Sequence, residues 1–123
     1  MSKKSKTILL VEDDATLRDA FDMVLSKDFD VVTAADGRLG LYEAESRDFD
    51  IILLDMLMPN MDGKEFLRAY DNPNDVPIIV FSNLDSKTEI DEAIELGATR
   101  YLLKSWASPK ELIRVVRDVL PKE

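Results

Sequence analysis

The chain alternates between short, strongly apolar runs and longer stretches in which apolar residues recur every three or four positions. The apolar runs are TILLV (7–11), DVVTA (30–34), DIILL (50–54), PIIVF (77–81) and RYLLK (100–104). Three of them are almost continuously apolar, which is typical of strands that are covered on both faces of a parallel sheet. The pattern therefore predicts five strands, each followed by a segment of helical period.

The intervening stretches carry the signals of amphipathic helices. In 15–26 and 109–120 the apolar side chains fall on one helical face. The last helix is preceded by Ser108, with proline at the first helical position and a glutamate placed to complete a capping box. Ser86 and Asp62 stand at the same capping position before two further helices.

Five strands alternating with five helices predict a single α/β domain. Gly97 suits the end of the fourth helix. An open, doubly wound parallel sheet is the economical arrangement, because the common closed barrel needs eight strand–helix units. The chain of 123 residues is the length of one domain. We assign 1–6 to a flexible basic tail and 7–123 to the domain.

Composition removes several classes of function. With no cysteine and no histidine, the chain has neither a thiolate nor an imidazole for catalysis or metal binding. A net charge of −9 repels phosphate backbones, so direct binding to nucleic acid is not expected. No apolar run reaches the ~18 residues of a membrane-spanning helix. The apolar stretch 8–11 is too short for a secretory signal, so we expect a cytoplasmic location.

Polar residues of complementary charge follow four of the five predicted strands. They are Glu12, Asp13 and Asp14 after the first strand, Asp55 after the third, Ser82 after the fourth and Lys104 at the end of the fifth. Because the carboxyl ends of parallel strands share one edge, these side chains are expected to meet there, with Asp14 instead starting the first helix. Clustered carboxylates with open positions suit Mg²⁺, and a carboxylate beside Mg²⁺ and a lysine is a plausible phosphoryl acceptor.

Competing phosphate chemistries lack their motifs. The chain has no G-x-x-x-x-G-K-[ST] loop and no G-x-G-x-x-G turn, and it contains four glycines in all. An aspartyl-phosphate phosphatase of the D-x-D type needs an acid at position 57, where Leu57 stands. A small Mg²⁺-dependent phosphohydrolase is therefore a weak alternative, because no second acid is placed to activate water.

The motifs LLVEDD, LLDMLMPNMDG, IIVFS and YLLK resemble, in order and approximate spacing, the receiver domain of two-component response regulators. The resemblance covers the chain after the tail. It implies a flavodoxin-like fold with strand order 2-1-3-4-5. It also implies that Asp55 accepts a phosphoryl group from a histidine of a kinase or of a phosphotransfer protein.

The resemblance implies a Mg²⁺ site built from four residues. Asp13 matches the direct metal ligand, and Glu12 matches the acid that holds a metal-bound water. Asp55 contributes as a ligand as well as the phosphoacceptor. The backbone carbonyl of Leu57 matches the third protein ligand.

The resemblance also assigns the catalytic and switch residues. Ser82 matches the switch hydroxyl, Lys104 the lysine that pairs with the phosphoryl group, and Tyr101 the aromatic residue whose rotamer reports activation. Phosphorylation would change the face formed by the fourth helix, fifth strand and fifth helix, and so control a partner or an output domain. A basic row on the last helix could help this docking: Lys110, Arg114 and Arg117. Such a switch has slow autodephosphorylation but no conventional substrate turnover.

Several positions depart from the family pattern. Leu57 and Leu84 replace residues that help an attacking water, so we expect a long-lived phosphate. Asn83 stands where the family has a small residue and is expected to crowd access to Asp55. Ser105 replaces the usual proline, so the bond before it is expected to be trans. Trp106 is expected to be partly exposed.

Two interpretations remain at this stage. The first is a phosphorylatable signalling switch. The alternative is a receiver-like interaction module that keeps the fold and is not phosphorylated. The presence of the whole set of acids, hydroxyl and lysine favours the first.

Overall fold

A five-stranded parallel sheet forms the centre of the computed structural model, which describes residues 6–105 and 108–120. The strands are β1 (Thr7–Val11), β2 (Asp30–Ala34), β3 (Ile51–Asp55), β4 (Ile78–Ser82) and β5 (Arg100–Leu103). The helices are α1 (Ala15–Leu25), α2 (Gly37–Ser46), α3 (Gly63–Ala69), α4 (Lys87–Glu95) and α5 (Pro109–Val119). The expectations for the tail before Lys6 and for Trp106 lie outside the described residues.

The strand order is β2-β1-β3-β4-β5, as the resemblance implied. β2 lies on one side of β1 in the sheet, and β3, β4 and β5 follow one another on the other side. The order therefore reverses between β1 and β3, which is where open α/β sheets form their binding crevice. Val11 pairs with Leu54 in the register of these two strands. The residues that follow this pair, Glu12 and Asp55, therefore lie side by side at the end of the β1–β3 ladder.

Side chains of the inner strands alternate between two buried clusters. Leu9, Val11, Ile52 and Leu54 belong to the cluster covered by α2, α3 and α4. Their neighbours along the same strands belong to the cluster covered by α1 and α5. Both faces of β1 and β3 are therefore buried from water, which explains why these strands are continuously apolar and do not alternate apolar with polar residues.

Two strands begin one residue later than the sequence predicted. The Asp50 N–H donates to the Thr7 carbonyl at 2.9 Å and its carboxylate accepts from the Thr7 N–H at 2.8 Å, so Asp50 is attached to β1 just before β3 begins. Pro77 has no N–H to donate, so it contributes only its carbonyl, to Ile52 N at 3.0 Å. Both strands also end one residue later than predicted, so Asp55 and Ser82 are the last residues of β3 and β4 rather than the first residues after them.

Each helix begins at a side-chain cap. The capping residues are Asp14, Asp36, Asp62, Ser86 and Ser108 for α1 to α5 respectively. Asp62 and Glu65 form a complete capping box, and Gly97 follows α4 with a φ of 119°. These caps satisfy N–H groups that would otherwise lack partners, and they fix where each helix leaves the sheet edge.

Two details concern the ends of the predicted domain and the departure at Ser105. Lys6 was assigned to the tail, yet its carbonyl accepts a hydrogen bond from Asp30 N at 2.9 Å, so its backbone is attached to β2. The structure contains no cis peptide bond among the described residues, so the Lys104–Ser105 bond is trans, as expected.

Gly63 sits where α3 meets the end of β3. A Cβ atom at this position would lie 2.8 Å from the Asp55 carbonyl oxygen and 2.8 Å from Met56 Cα. Both are backbone atoms, so they cannot move away by a side-chain rotation. The absence of a side chain at Gly63 therefore lets α3 approach the strand that carries Asp55.

We expect Gly63→Ala to lower the free energy of unfolding by about 1–3 kcal/mol, the usual cost of overpacking. Chemical denaturation of the variant and of the wild type measures this loss. Arg68→Ala, at an exposed position of the same helix, is the control and should change stability by no more than about 0.5 kcal/mol. Equal stability of Gly63→Ala and the wild type would show that the backbone can move apart at no cost.

Candidate functional site

Three carboxylates meet at the carboxyl edge of the sheet. Glu12 follows β1 and is 0% exposed, Asp55 ends β3 and is 1% exposed, and Asp13 is exposed at the rim. One oxygen atom from each lies within 4.8 Å of the others. The structure thus brings together the acids that the strand-end pattern predicted to converge.

Lys104 supplies the opposing charge from the end of β5. Its Nζ lies 2.9 Å from Glu12 Oε1 and 3.1 Å from Asp55 Oδ1, and its side chain is 18% exposed. The ammonium group also lies 5.4 Å from the centroid of the Phe81 ring. The Lys104 N–H donates to the Ser82 carbonyl at 2.8 Å, which extends the ladder one residue past β5 and aims the side chain across β4.

Burial and neighbouring negative charge strongly raise the pKa of Asp55. Loss of water around the carboxyl raises its pKa, the neighbouring Glu12 raises it further, and the resulting pKa is about 8 although Lys104 opposes the change. Partial burial alone would lower the pKa of Lys104. The hydrogen bond to Glu12 and the charges of Asp55 and Glu12 outweigh this effect and raise that pKa. Full ionisation of the three acids would give more negative charge than one lysine neutralises, and the raised pKa of Asp55 avoids this excess.

The two oxygens of Asp55 have different surroundings. Oδ1 lies beside Lys104 and accepts a long hydrogen bond from Leu57 N, at 3.4 Å. Oδ2 is buried and has no hydrogen-bond partner among the described residues. A buried carboxylate oxygen without a donor is costly, whereas a hard cation would satisfy it. The donor set, which consists of oxygen atoms on three acids, fits Mg²⁺.

Hydrogen bonds among its own residues hold the turn between β1 and α1 in place. Asp14 N donates to Glu12 Oε2 at 3.0 Å, and the Asp14 carboxylate accepts from Thr16 N and Leu17 N. Arg18 Nη1 donates to the Glu12 carbonyl at 2.9 Å and approaches the Asp13 carbonyl at 3.4 Å. Asp14 caps the helix, as expected. The sequence interpretation missed Arg18, whose signal is a cation one turn after the helix cap.

Ser82 and Tyr101 meet at the backbone of Leu84. Ser82 is 1% exposed, and its Oγ accepts a hydrogen bond from Leu84 N at 3.1 Å. The Tyr101 hydroxyl donates to the Leu84 carbonyl at 2.7 Å. Tyr101 is half-buried, and its burial raises the pKa of the phenol. The Ser82 hydroxyl hydrogen is not used in the bond to Leu84, so it can be donated to another acceptor.

A small cavity of about 110 Å³ lies just beyond the end of β3. Its lining residues are Met56, Leu57, Asp62, Lys64, Leu84 and Glu89. Leu57 is 58% exposed and Leu84 is half-buried, so Leu57 covers the cavity from the solvent side. Lys64, which the sequence interpretation did not select, joins α3 to α4 through Glu89 at 2.8 Å and Glu92 at 3.0 Å.

The basic row predicted on α5 is partly paired within the chain. Arg117 Nη2 lies 2.7 Å from Asp28 Oδ2, and its guanidinium carbon lies 5.7 Å from the centroid of the Phe29 ring. Arg114 lies 3.3 Å from Glu111 one turn earlier in the helix. These contacts give Arg117 a structural role in attaching α5 to the loop before β2.

A larger cavity, of about 420 Å³, lies away from these charges. It is formed by the end of α2, the loop before β3 and the segment after α3, so it belongs to the opposite edge of the sheet. Its floor includes Phe49 and Tyr70. The convergence of charged strand ends, rather than cavity size, marks the candidate functional site.

Comparison with known proteins agrees with this geometry. Residues 8–117 match the response regulator receiver domain family. The chain belongs to this family. The family prediction and the prediction of a five-stranded doubly wound sheet are therefore confirmed.

The receiver domain has relatives among curated proteins. RegX3, a sensory transduction protein of Mycolicibacterium smegmatis, is 35% identical over 115 residues, which is 93% of this chain and 50% of that protein. The probable transcriptional regulator ycf27 of Porphyridium aerugineum is 34% identical over 118 residues, covering 95% of this chain and 49% of that protein. The chain thus spans about half the length of the curated relatives it matches.

Solved structures share the same fold. The chemotaxis response regulator CheY4 of Vibrio cholerae superimposes with a TM-score of 0.87 at 31% identity, covering 95% of this chain and 100% of that chain. A CheY-like receiver domain protein from Methanospirillum hungatei gives a TM-score of 0.87 at 26% identity, covering 94% of this chain and 93% of that chain.

Family membership establishes the general role of this receiver domain. Receiver domains are signalling switches of two-component systems rather than turnover enzymes, and histidine kinases typically phosphorylate them. They bind Mg²⁺ through an acidic cluster, of which Glu12, Asp13 and Asp55 are the members here. Within the described residues, each helix is too short or too polar to span a bilayer.

The raised pKa of Asp55 predicts a pH dependence of stability in the absence of Mg²⁺. The folded pKa of about 8 lies above the ordinary value of 3.8, so the folded protein holds a proton that the unfolded chain releases. The contribution of this proton is full below about pH 4 and is lost as the pH rises to about 8. Asp55→Asn removes the titration, so its stability advantage over the wild type should grow across this window.

Thermal unfolding of both proteins in EDTA, at pH 5 and pH 8, measures the advantage. Adding Mg²⁺ at pH 8 should stabilise the wild type more than Asp55→Asn and so reduce the difference. Asp19→Asn, at an exposed position of α1, is the control for loss of a surface charge. A difference between wild type and Asp55→Asn that is the same at both pH values would contradict the raised pKa.

Proposed function

We propose that this receiver domain accepts a phosphoryl group on Asp55 in a Mg²⁺-dependent reaction. The donor is a phosphorylated histidine of a kinase or of a phosphotransfer protein. Phosphorylation then changes the surface formed by α4, β5 and α5, which controls a protein partner or an output domain. The observation that carries the proposal is Asp55 itself, a buried carboxylate with one oxygen beside Lys104 and one oxygen without a donor.

The transfer is a displacement at phosphorus. A carboxylate oxygen of Asp55 forms the new P–O bond while the P–N bond to histidine breaks, and the imidazole nitrogen keeps the electron pair. Glu12, Asp13, Asp55 and the Leu57 carbonyl would hold Mg²⁺, whose positive charge would neutralise the phosphoryl oxygens. Lys104, already 3.1 Å from Asp55, is placed to pair with one of those oxygens after transfer.

Ser82 and Tyr101 are proposed to convert the modification into a change of shape. A phosphoryl group adds about −1.5 to −2 charge and strong acceptors beside Asp55. Because Ser82 Oγ only accepts from Leu84 N, the Ser82 hydroxyl hydrogen can turn from the Tyr101 hydroxyl, with which Ser82 forms a hydrogen bond, toward the phosphoryl group. Tyr101 is bonded to the carbonyl of the same residue, so movement of Leu84 alters both contacts and shifts the population of α4 arrangements.

Incubation with Mg²⁺ and acetyl phosphate should add the mass of one phosphoryl group to the wild-type chain. Asp55→Asn should show no addition, since its amide cannot form the acyl phosphate. Lys104→Met should react much more slowly, because the product would lose its cationic partner. Asp19→Asn, matched in chemistry and exposed on α1, should react like the wild type. Mass spectrometry at neutral pH reads out all four proteins.

The assay must include a phosphorylated histidine kinase or phosphotransfer protein alongside acetyl phosphate. If neither donor gives an Asp55-dependent mass increase, the domain is an interaction module with a receiver fold and the proposed function fails. Reaction without Mg²⁺ at an unchanged rate would overturn the metal requirement alone.

Leu57 and Leu84 predict a phosphorylated state that lasts minutes or longer, because neither side chain can hydrogen-bond an attacking water. Leu57→Asn should shorten the lifetime about fivefold, which corresponds to one hydrogen bond of about 1 kcal/mol to that water. Release of phosphate from the purified phosphoprotein measures the lifetime. Leu39→Asn, a matched change at an exposed leucine of α2, should leave it unchanged. A wild-type lifetime of seconds would disprove this explanation.

A further inference from the structure

Arg18 reaches back from α1 to the residues that carry the acidic pair. Its Nη1 donates to the Glu12 carbonyl at 2.9 Å and lies 3.4 Å from the Asp13 carbonyl. The side chain is half-buried, so it lies against the turn rather than extending into water. A single terminal nitrogen therefore bridges two consecutive carbonyl oxygens at the exit of β1.

Hydrogen bonds within the turn hold Glu12 more fully than they hold the Asp13 carboxylate. Glu12 N is held by the Ala34 carbonyl at 3.0 Å, and the Glu12 side chain is held by Asp14 N and Lys104. Among the described residues no N–H group donates to the Asp13 carboxylate, which shares a hydrogen bond with the Asp55 carboxyl, itself a member of the metal site. The orientation of the Asp13 carboxylate depends on the peptide units on either side, and these are the units whose carbonyls Arg18 contacts.

We propose that Arg18 is a positioning residue for the Mg²⁺ site: it fixes the carbonyls of Glu12 and Asp13 and thereby aims the Asp13 carboxylate. The inference rests on the Mg²⁺ site of the proposed function and adds to it a residue that touches neither the metal nor the phosphoryl group. Groups that orient metal ligands typically change metal affinity by about 10–100-fold when they are removed.

The charge of Arg18 acts in the opposite direction from its hydrogen bonds. A cation beside the acidic cluster reduces its attraction for Mg²⁺, so loss of the charge alone would tighten metal binding. Loss of the positioning contacts would weaken it. Lysine separates the two effects, because it keeps the charge while its chain is one atom shorter and lacks the planar guanidinium group.

The experiment compares wild type, Arg18→Lys and Arg18→Met by titration calorimetry with MgCl₂. Arg18→Lys should bind Mg²⁺ about 10-fold more weakly than the wild type. Arg47→Lys, whose guanidinium pairs with Glu43 at the end of α2, is the matched control and should bind like the wild type. Phosphorylation of Arg18→Lys by acetyl phosphate should need more Mg²⁺ but recover to within about twofold of the wild-type rate at saturation.

A second measurement, without metal, tests the turn directly. Amide exchange at Asp14, whose N–H donates to Glu12 Oε2, should be about 10-fold faster in Arg18→Lys than in the wild type, while Arg47→Lys shows no change. Unchanged exchange together with unchanged Mg²⁺ affinity in Arg18→Lys would overturn the inference. Tighter Mg²⁺ binding by Arg18→Met, with Arg18→Lys like the wild type, would also overturn it, because the residue would then act through charge.

Failure of the proposed function would be recognised separately. If the wild type binds no Mg²⁺ and is not phosphorylated, the metal site is wrong. The exchange comparison in metal-free protein still decides whether Arg18 holds the turn, since it requires neither Mg²⁺ nor a phosphodonor.

Discussion

The contact of Lys104 with two buried acids is the interaction on which the rest of the site depends. Glu12 follows β1 and Asp55 ends the adjacent β3, and Lys104 reaches both of them from the end of β5, which lies two strands from β3 and three from β1. Removing one member of a buried ion pair costs about 3–5 kcal/mol, because the other is left without a partner. One cation cannot balance three carboxylates, however. Ionisation of all three acids would leave an unfavourable excess of negative charge, so Asp55 retains a proton unless a cation such as Mg²⁺ binds.

This constraint explains why so many polar residues occupy one edge of an otherwise dry structure. Both faces of β1 and β3 are covered by helices, so their side chains are apolar until the strand ends. The charged and hydroxyl side chains of the site lie at the last residue of a strand or within two residues after it, whereas Tyr101 lies within β5. The close approach at Gly63 brings α3 against this edge. The cap side chains of α1, α3 and α4 accept hydrogen bonds from N–H groups at the starts of these helices.

Sequence reasoning could predict the features that follow from periodicity and chain order. The α/β fold and the convergence of Glu12, Asp13 and Asp55 belong to this class, whereas the strand order was implied by the family resemblance. It placed the starts of β3 and β4 one residue early, because apolar character does not show which backbone groups enter the ladder. It missed Lys64, because the partners of this side chain on α4 come within reach only when the helices pack, and it missed Arg18 although its partners lie in the adjoining turn.

The two hydrogen bonds at Leu84 have a consequence for how such a domain can diversify. Ser82 contacts its N–H and Tyr101 contacts its carbonyl, so both bonds involve the peptide backbone and neither involves the leucine side chain. Leu84 also lines the small cavity beyond the end of β3. Under the proposed function, the Leu84 side chain would affect the lifetime of the phosphate, whereas its backbone would relay the change of shape. A substitution at this position could therefore alter how long the signal lasts without removing either hydrogen bond.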